Sequence, residues 1–308
     1  MSDTTADCMT RVCHLCGKDE TFLFVYKKDL KLVQCKNCSM IFANPVSAEM
    51  SSGSFYNETH APFYLSPDKL QSDYASVRFE RELRLFRRFC KNGNVLDVGC
   101  STGAFLFQLQ NCFPGNYETL GTDVSQPALE YAKSRGVKIV NESFLDHDFG
   151  DKRFAAITFW AVMEHLANPK QFLDKAASLL RSGGHCFVLV PNMKSLAVRV
   201  LGGKYRYILP EHVNYFAPLT LRDFSQKQST LETVASGSMH FNPIVIWQDF
   251  LGRGEYVSDE DRAALLKRTT AAKQDPLLKP VKILYRATEQ ILAQLNLADN
   301  LFIVLRKK

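Results

Sequence analysis

The chain has 308 residues, room for one large domain and a small one, and its 46% hydrophobic and 23% charged content is that of an ordinary globular protein. A formal net charge of +6 permits an anionic ligand but does not demonstrate nucleic-acid binding. No apolar run approaches the roughly 20 residues of a membrane span. Residues 1–11 lack the apolar stretch of a secretory signal, so the expectation is a cytoplasmic protein whose nine cysteines are reduced or metal-bound rather than paired.

The first recognisable unit is a pair of knuckles, Cys13-x-x-Cys16 followed by Gly17, and Cys35-x-x-Cys38. Their spacing suits four thiolates around one tetrahedral Zn2+, and residues 21–34 between them can form the hairpin of a zinc ribbon. Four cysteines leave no open coordination position, so the metal is structural. A module of this size, residues 8–46, lacks the core to hold itself together without the ion. Lys27, Lys28, Lys31 and Lys36 read as a solvated face, which disfavours nucleic acid as a partner.

Residues 47–77 form a linker and entry segment. It opens with small residues up to Gly53 and continues with Phe55, Tyr56, Phe63, Tyr64 and Tyr74, aromatics that can fold over a ligand or pack ribbon against core. Residues 78–89 have the period of an amphipathic helix, with Phe79, Leu83 and Phe86 on one face and arginines on the other.

The central signal is at residues 95–103. Val95, Leu96 and Val98 suit a buried parallel strand, and Gly99 and Gly103 bring the backbone close to a ligand in the turn that follows. An apolar run from Ala104 opens a helix whose N-terminus favours negative groups. Asp123, at the end of the next strand, can accept hydrogen bonds from both ribose hydroxyls. Asp97, inside the turn, would crowd a pyrophosphate but suits a cationic ligand with an amino group and a sulfonium.

On these residues the chain resembles the class I S-adenosylmethionine-dependent methyltransferases, whose first motif, acid-x-Gly-x-Gly-x-Gly, is met by Asp97, Gly99 and Gly103, with Ser101 in place of the middle glycine. Residues 141–144, 154–165, 180–190 and 300–306 fall where that family places its adenine-flanking loop, fourth strand, fifth strand and seventh strand. The resemblance implies an α/β fold, a Rossmann-like seven-stranded methyltransferase sheet with its last strand antiparallel, over residues 78–308, with a helical insertion at about 252–298. It also implies S-adenosylmethionine bound by Asp97, Gly99, Cys100, Ser101, Gly103, Asp123, Val124, Ser143, Phe144 and Trp160.

The ribbon followed by an apolar stretch and Asn44-Pro45 is similar to a methyltransferase-23-like bacterial subgroup that includes sugar C-methyltransferases. The resemblance implies a small-molecule, nucleotide-linked sugar or glycan acceptor. An RNA or protein methyltransferase docked through the ribbon, and a non-catalytic binding module, stand as alternatives. Two clusters follow strands at the end of the sheet where ligands bind. One is Glu164-His165. The other is Glu211-His212, in a segment that Pro210 and Gly202-Gly203 keep out of a helix. Methyl transfer to oxygen or to an acidified carbon calls for a base of near-neutral pKa, which makes His212 the candidate base, with Glu211 and His165 beside it. Phe241, Pro243, Ile244, Trp247 and Phe250 are candidates to line the acceptor pocket. Ile283, Leu284, Ala287, Ile291, Leu292 and Leu295 read as the apolar face of a helix packed on the core or capping that pocket. The oligomeric state is left open.

Overall fold

The computed structural model describes residues 8–47, 55–59, 61–252 and 254–308. Most of the small-residue linker therefore lies outside the described residues, as do residues 1–7 of the leader stretch. In chain order the ribbon supplies strands β1 (Cys8–Met9), β2 (Thr21–Lys27), β3 (Leu30–Cys35), β4 (Ile41–Ala43) and β5 (Val46–Ser47). A single π turn, Phe55–Thr59, and helices α1 (Ala61–Tyr64) and α2 (Pro67–Asp73) make up the entry segment, which is mostly helical rather than a loop. Helix α3 (Glu80–Phe89) leads into the alternating core: β6 (Gly93–Val98), α4 (Ala104–Cys112), β7 (Tyr117–Thr122), α5 (Gln126–Ser134), β8 (Ile139–Val140), β9 (Phe154–Trp160), α6 (Pro169–Leu179) and β10 (Leu180–Pro191). Then come α7 (Leu196–Leu201), β11 (Asn214–Tyr215), α8 (Pro218–Gln226), β12 (Leu231–Met239), α9 (Pro243–Leu251), α10 (Asp259–Gln274), α11 (Lys279–Gln294) and β13 (Asn300–Lys307).

The main sheet has seven strands in the order β12-β13-β10-β9-β6-β7-β8. Strands β8, β7, β6, β9 and β10 pair in parallel, while β13 runs antiparallel to both β10 and β12. This is the Rossmann-like methyltransferase sheet with its antiparallel last strand. Strand β9 is apolar along nearly its whole length and is buried through Phe159, as a central parallel strand covered on both faces must be. The chain winds one way from β6 to β8 and then returns to the other side at β9. The crevice between β6 and β9 is thus the switch point where open α/β sheets bind ligands.

The ribbon is continuous with this core. Its sheet, β11-β4-β3-β2, takes its first strand from the far side of the chain, with Asn214 opposite Phe42 and Tyr215 opposite Ile41. Cys13, Leu15, Val33, Cys35, Met40 and Phe42 belong to the same buried cluster as Leu96, Ile157, Phe159 and Phe216 of the main domain.

The insertion forms two helices. Ser258 caps α10, its hydroxyl accepting from the Asp261 N–H at 3.1 Å; Pro276 lies between α10 and α11, and Pro280 in the first turn of α11. The apolar face of α11 is not packed as its pattern suggests: Ile283, Leu284, Ile291 and Leu295 are exposed and only Leu292 is buried. On α9, Ile244, Trp247 and Phe250 are also exposed. Nothing in a helical period requires its apolar side to face inward; exposed apolar residues are common.

Candidate functional site

The turn after β6 is built for close approach. Gly99 and Gly103 adopt φ of +73° and +76°, and a Cβ on Gly99 would lie 2.5 Å from Val162 Cγ2, so neither space nor conformation admits a side chain there. Ser101 takes φ +49°, and its hydroxyl is buried without a hydrogen-bond partner among the described residues. The Gly99 and Cys100 N–H groups donate to the Thr122 carbonyl, clamping the turn onto β7. Asp123 then bridges two loops, accepting from the Ser101 N–H at 2.7 Å and the Ser125 N–H at 2.9 Å. Beside it, Val124 is exposed.

Asp97 is buried under this turn. Desolvation raises its pKa to about 7, against the stabilising hydrogen bond from Thr158 Oγ1 at 2.6 Å. A buried carboxyl held this close to neutrality is ready to ionise against a cation. These features fit the amino group and ribose of S-adenosylmethionine: an acid on β6 beneath the turn, a second acid at the end of the next strand, and between them a serine hydroxyl with no partner among the described residues. Trp160, at the end of β9, packs edge-on to Phe105 at 5.2 Å and leaves its indole N–H buried without a partner.

Two residues expected at the cofactor have side chains packed into the protein. The Cys100 thiol lies where a Cβ on Gly121 would come within 2.6 Å of it, and its N–H is already bonded to Thr122. Phe144 is buried among Phe149, Phe159 and Phe172, stacked on the last at 5.6 Å, which turns its ring into the core. Ser143, two residues beyond Asn141, donates to Asp146 at 2.8 Å on an exposed loop.

Across the crevice, the loops after β9 and β10 meet. The rings of His165 and His212 stand edge to face with centroids 4.6 Å apart. His165 Nδ1 lies 3.0 Å from the Glu211 carbonyl and His212 Nδ1 lies 2.9 Å from the Tyr207 carbonyl. A carbonyl only accepts, so both Nδ1 atoms carry the proton. His212 is buried, and desolvation followed by the neighbouring His165 pushes its pKa well down, so it is neutral at physiological pH. Glu164 lies within 4.8 Å of both imidazoles, is 1% exposed, and has neither carboxylate oxygen hydrogen-bonded among the described residues. Burial alone raises its pKa to about 8.

Glu211 does not join this group through its side chain. Its carboxylate lies 3.7 Å from Arg262 on α10, whose guanidinium also sits over the Phe63 ring and bonds Asp259. Together with the Lys267–Asp68 pair, this holds α10 and the entry segment together at the site.

Two further residues have a part in the site. Tyr56 bridges the two halves: its hydroxyl lies 3.1 Å from His165 Nδ1, and its carbonyl accepts from Ser125 Oγ next to Asp123. Asn214 fixes the loop from behind. Its amide donates to the Met163 and Leu166 carbonyls, and its oxygen accepts from Arg11. The aromatic-rich entry segment points to the first and the amide in the loop after the fifth strand to the second; their partners, far apart in the chain, are what the sequence does not show.

The four ribbon cysteines converge. Cys13 and Cys38 have their sulfurs 3.4 Å apart, Cys16 and Cys35 3.5 Å, and all four lie within 4.8 Å of one another. Thiolates at the usual zinc distance of about 2.3 Å in a tetrahedron stand roughly 3.8 Å apart, so the set fits a Zn2+ ion.

A family model described as a methyltransferase domain matches residues 71–228. Among curated proteins, an uncharacterized protein of Methanocaldococcus jannaschii is 27% identical over 116 residues, covering 38% of this chain and 53% of its own length. The ubiquinone biosynthesis O-methyltransferase of Mesorhizobium japonicum is 28% identical over 185 residues, covering 56% of this chain and 72% of its own. The chain thus spans about half the length of the first of these relatives. Among solved structures, a chain from the complex of the Haloferax volcanii Trm112 methyltransferase activator with the putative methyltransferase superposes with a TM-score of 0.53 at 15% identity, covering 82% of this chain and 98% of that one. A SAM-dependent methyltransferase from Thermotoga maritima gives 0.51 at 14%, covering 81% and 99%. At such identities these likenesses establish the fold. The family match takes in just over half of the chain, including the glycine turn, Asp123 and both histidine loops, and on it the chain belongs to the methyltransferase-domain family, the S-adenosylmethionine-dependent methyltransferases.

Proposed function

We propose that the protein transfers a methyl group from S-adenosylmethionine to an oxygen of a small hydroxylated acceptor. The observation that carries this reading is the pairing of two unlike sites across one crevice. On one side stand the near-neutral Asp97 and the ribose-facing Asp123. On the other stand two imidazoles whose Nδ1 atoms are already bonded to carbonyls, His212 of the two held neutral by burial. When bound, S-adenosylmethionine supplies an electrophilic methyl on its sulfonium. Asp97 ionises and pairs with the ammonium, Asp123 accepts from the ribose hydroxyls, and Ser101 and Trp160 find partners for their buried donors. His165 and His212 activate the acceptor oxygen, while the entry segment and α10 cover the reacting groups. Holding the acceptor in line with the methyl accounts for most of the rate, with the ionising group adding the rest.

Oxygen is favoured over carbon as the acceptor atom because several of the related proteins are O-methyltransferases of ubiquinone biosynthesis. Nucleotide-linked sugars and glycans remain within the same chemistry. The ribbon, on this reading, holds one structural Zn2+ and braces the histidine loop. The test is calorimetric titration with S-adenosylmethionine, followed by a screen of phenols, hydroxy acids, nucleotide sugars and glycans for methyl incorporation. Tight cofactor binding with incorporation into one acceptor class supports the reading; absence of cofactor binding overturns it.

A further inference from the structure

The group formed by Glu164, His165 and His212 has a feature that acid–base work does not need. A carboxylate and two imidazoles offer ligating atoms within 4.8 Å of one another. Glu164 is buried with both oxygens unbonded, and no ion pair to it exists among the described residues. The adjacent Arg262 is directed to Glu211 and Asp259 instead. A buried carboxylate left without a partner is destabilising unless a cation or a proton accompanies it. The two histidines are arranged as ligands usually are: each Nδ1–H is directed at a backbone carbonyl, Glu211 for one and Tyr207 for the other, which fixes the ring and the tautomer with its lone pair on Nε2.

We propose that Glu164, His165 and His212 bind one divalent transition-metal cation, of the zinc, manganese or iron(II) class. One oxygen and two imidazole nitrogens form a donor set of intermediate softness that suits these ions better than magnesium or calcium. An ion about 2.0–2.1 Å from each donor sets neighbouring donors roughly 3–3.5 Å apart, which side-chain rotation from the observed spacing can supply. Three protein ligands leave coordination positions open, unlike the closed four-thiolate ribbon. The open positions take water or the oxygen of the acceptor, and a cation there fixes and acidifies that oxygen beside the methyl donor. The assignment of the acceptor to those positions rests on the functional reading above; the cation site itself rests on the geometry.

The full-length protein, isolated with zinc in the ribbon, is titrated with Co2+ after removal of loosely held metal. Metal content and the visible spectrum are followed together. The expected result is uptake of a second equivalent whose spectrum lacks thiolate charge transfer. Glu164→Gln and His212→Gln should each weaken that equivalent at least about tenfold while the ribbon zinc stays in place. The wild-type titration decides the stoichiometry even where a variant folds poorly. Uptake of no second equivalent, or uptake that both folded variants retain at full affinity, overturns the proposal. A protein that methylates an acceptor yet takes up no second cobalt refutes the cation alone. One that takes up the cobalt but does not bind S-adenosylmethionine refutes the functional reading alone.

Discussion

Arg11 donates to the side-chain oxygen of Asn214 at 2.6 Å, tying the first cysteine knuckle to the loop that ends in His212. The same Asn214 pairs with Phe42 of the ribbon sheet and bonds the carbonyls on either side of Glu164-His165. The ribbon is therefore part of the scaffold for the histidine side of the crevice.

Removal of the ribbon metal should accordingly reach the chemistry. Stripping zinc with a strong chelator, or replacing Cys13 and Cys35 with serine, is expected to abolish methyl transfer while S-adenosylmethionine still binds, because Asp97 and Asp123 stand on the other side of the switch point. Arg11→Ala should act in the same direction more mildly. It removes a charge-assisted hydrogen bond worth about 1.5–3 kcal/mol, lowering the melting temperature and turnover together. Metal analysis, a melting curve and a cofactor titration on the same preparations check this.

Asp123→Ala should weaken cofactor binding strongly, by on the order of 1.5–3 kcal/mol for each ribose hydrogen bond lost. The bridge from Ser101 to Ser125 goes with it, so the loss exceeds that of a purely ligand-facing acid. Gly99→Ala should match it for a different reason, since the new Cβ meets Val162 at 2.5 Å in a φ of +73°. Unchanged affinity in both variants would place the cofactor elsewhere.

The affinity for S-adenosylmethionine should depend on pH with a definite sign. Burial holds Asp97 at about 7, above its ordinary 3.8, so below neutrality the carboxyl is protonated and must lose its proton to pair with the ammonium. Affinity should rise with pH up to about neutrality, by at most about tenfold per unit. It should then fall again as the cofactor's amino group deprotonates near ~8. Asp97→Asn should flatten the rising limb. A wild-type profile that is flat between pH 5 and 7 contradicts the pairing.

Much of this was legible because the requirements are local. Gly99 and Gly103 mark a turn that favours glycine, Asp97 and Asp123 stand at the ends of successive strands, and the two Cys-x-x-Cys knuckles bring four sulfurs together. What escaped is non-local or depends on which way a side chain turns. The pairing of β4 with β11 joins residues far apart in the chain, so neither strand announces its partner. Phe144 sits at the expected place in the chain, yet its ring turns into the core, and Cys100 lies in the right turn with its thiol facing Gly121. Glu164 stands out in the sequence only as the neighbour of His165; the fold shows that its carboxylate is buried and without a hydrogen bond among the described residues. The apolar pattern of α11 was read as a packed face, but a pattern does not say whether a partner is present.

The central claim is that the crevice performs methyl transfer with its cofactor side and its acceptor side held on separate loops. The most direct measurement is transfer of labelled methyl from S-adenosylmethionine to the acceptor found by screening, comparing the wild-type protein with His212→Ala. The account predicts turnover in the wild type and a fall of roughly 10²–10⁴-fold in the variant, with cofactor affinity nearly unchanged. Wild-type protein that binds the cofactor but methylates no acceptor, or a variant that turns over at the wild-type rate, would contradict it.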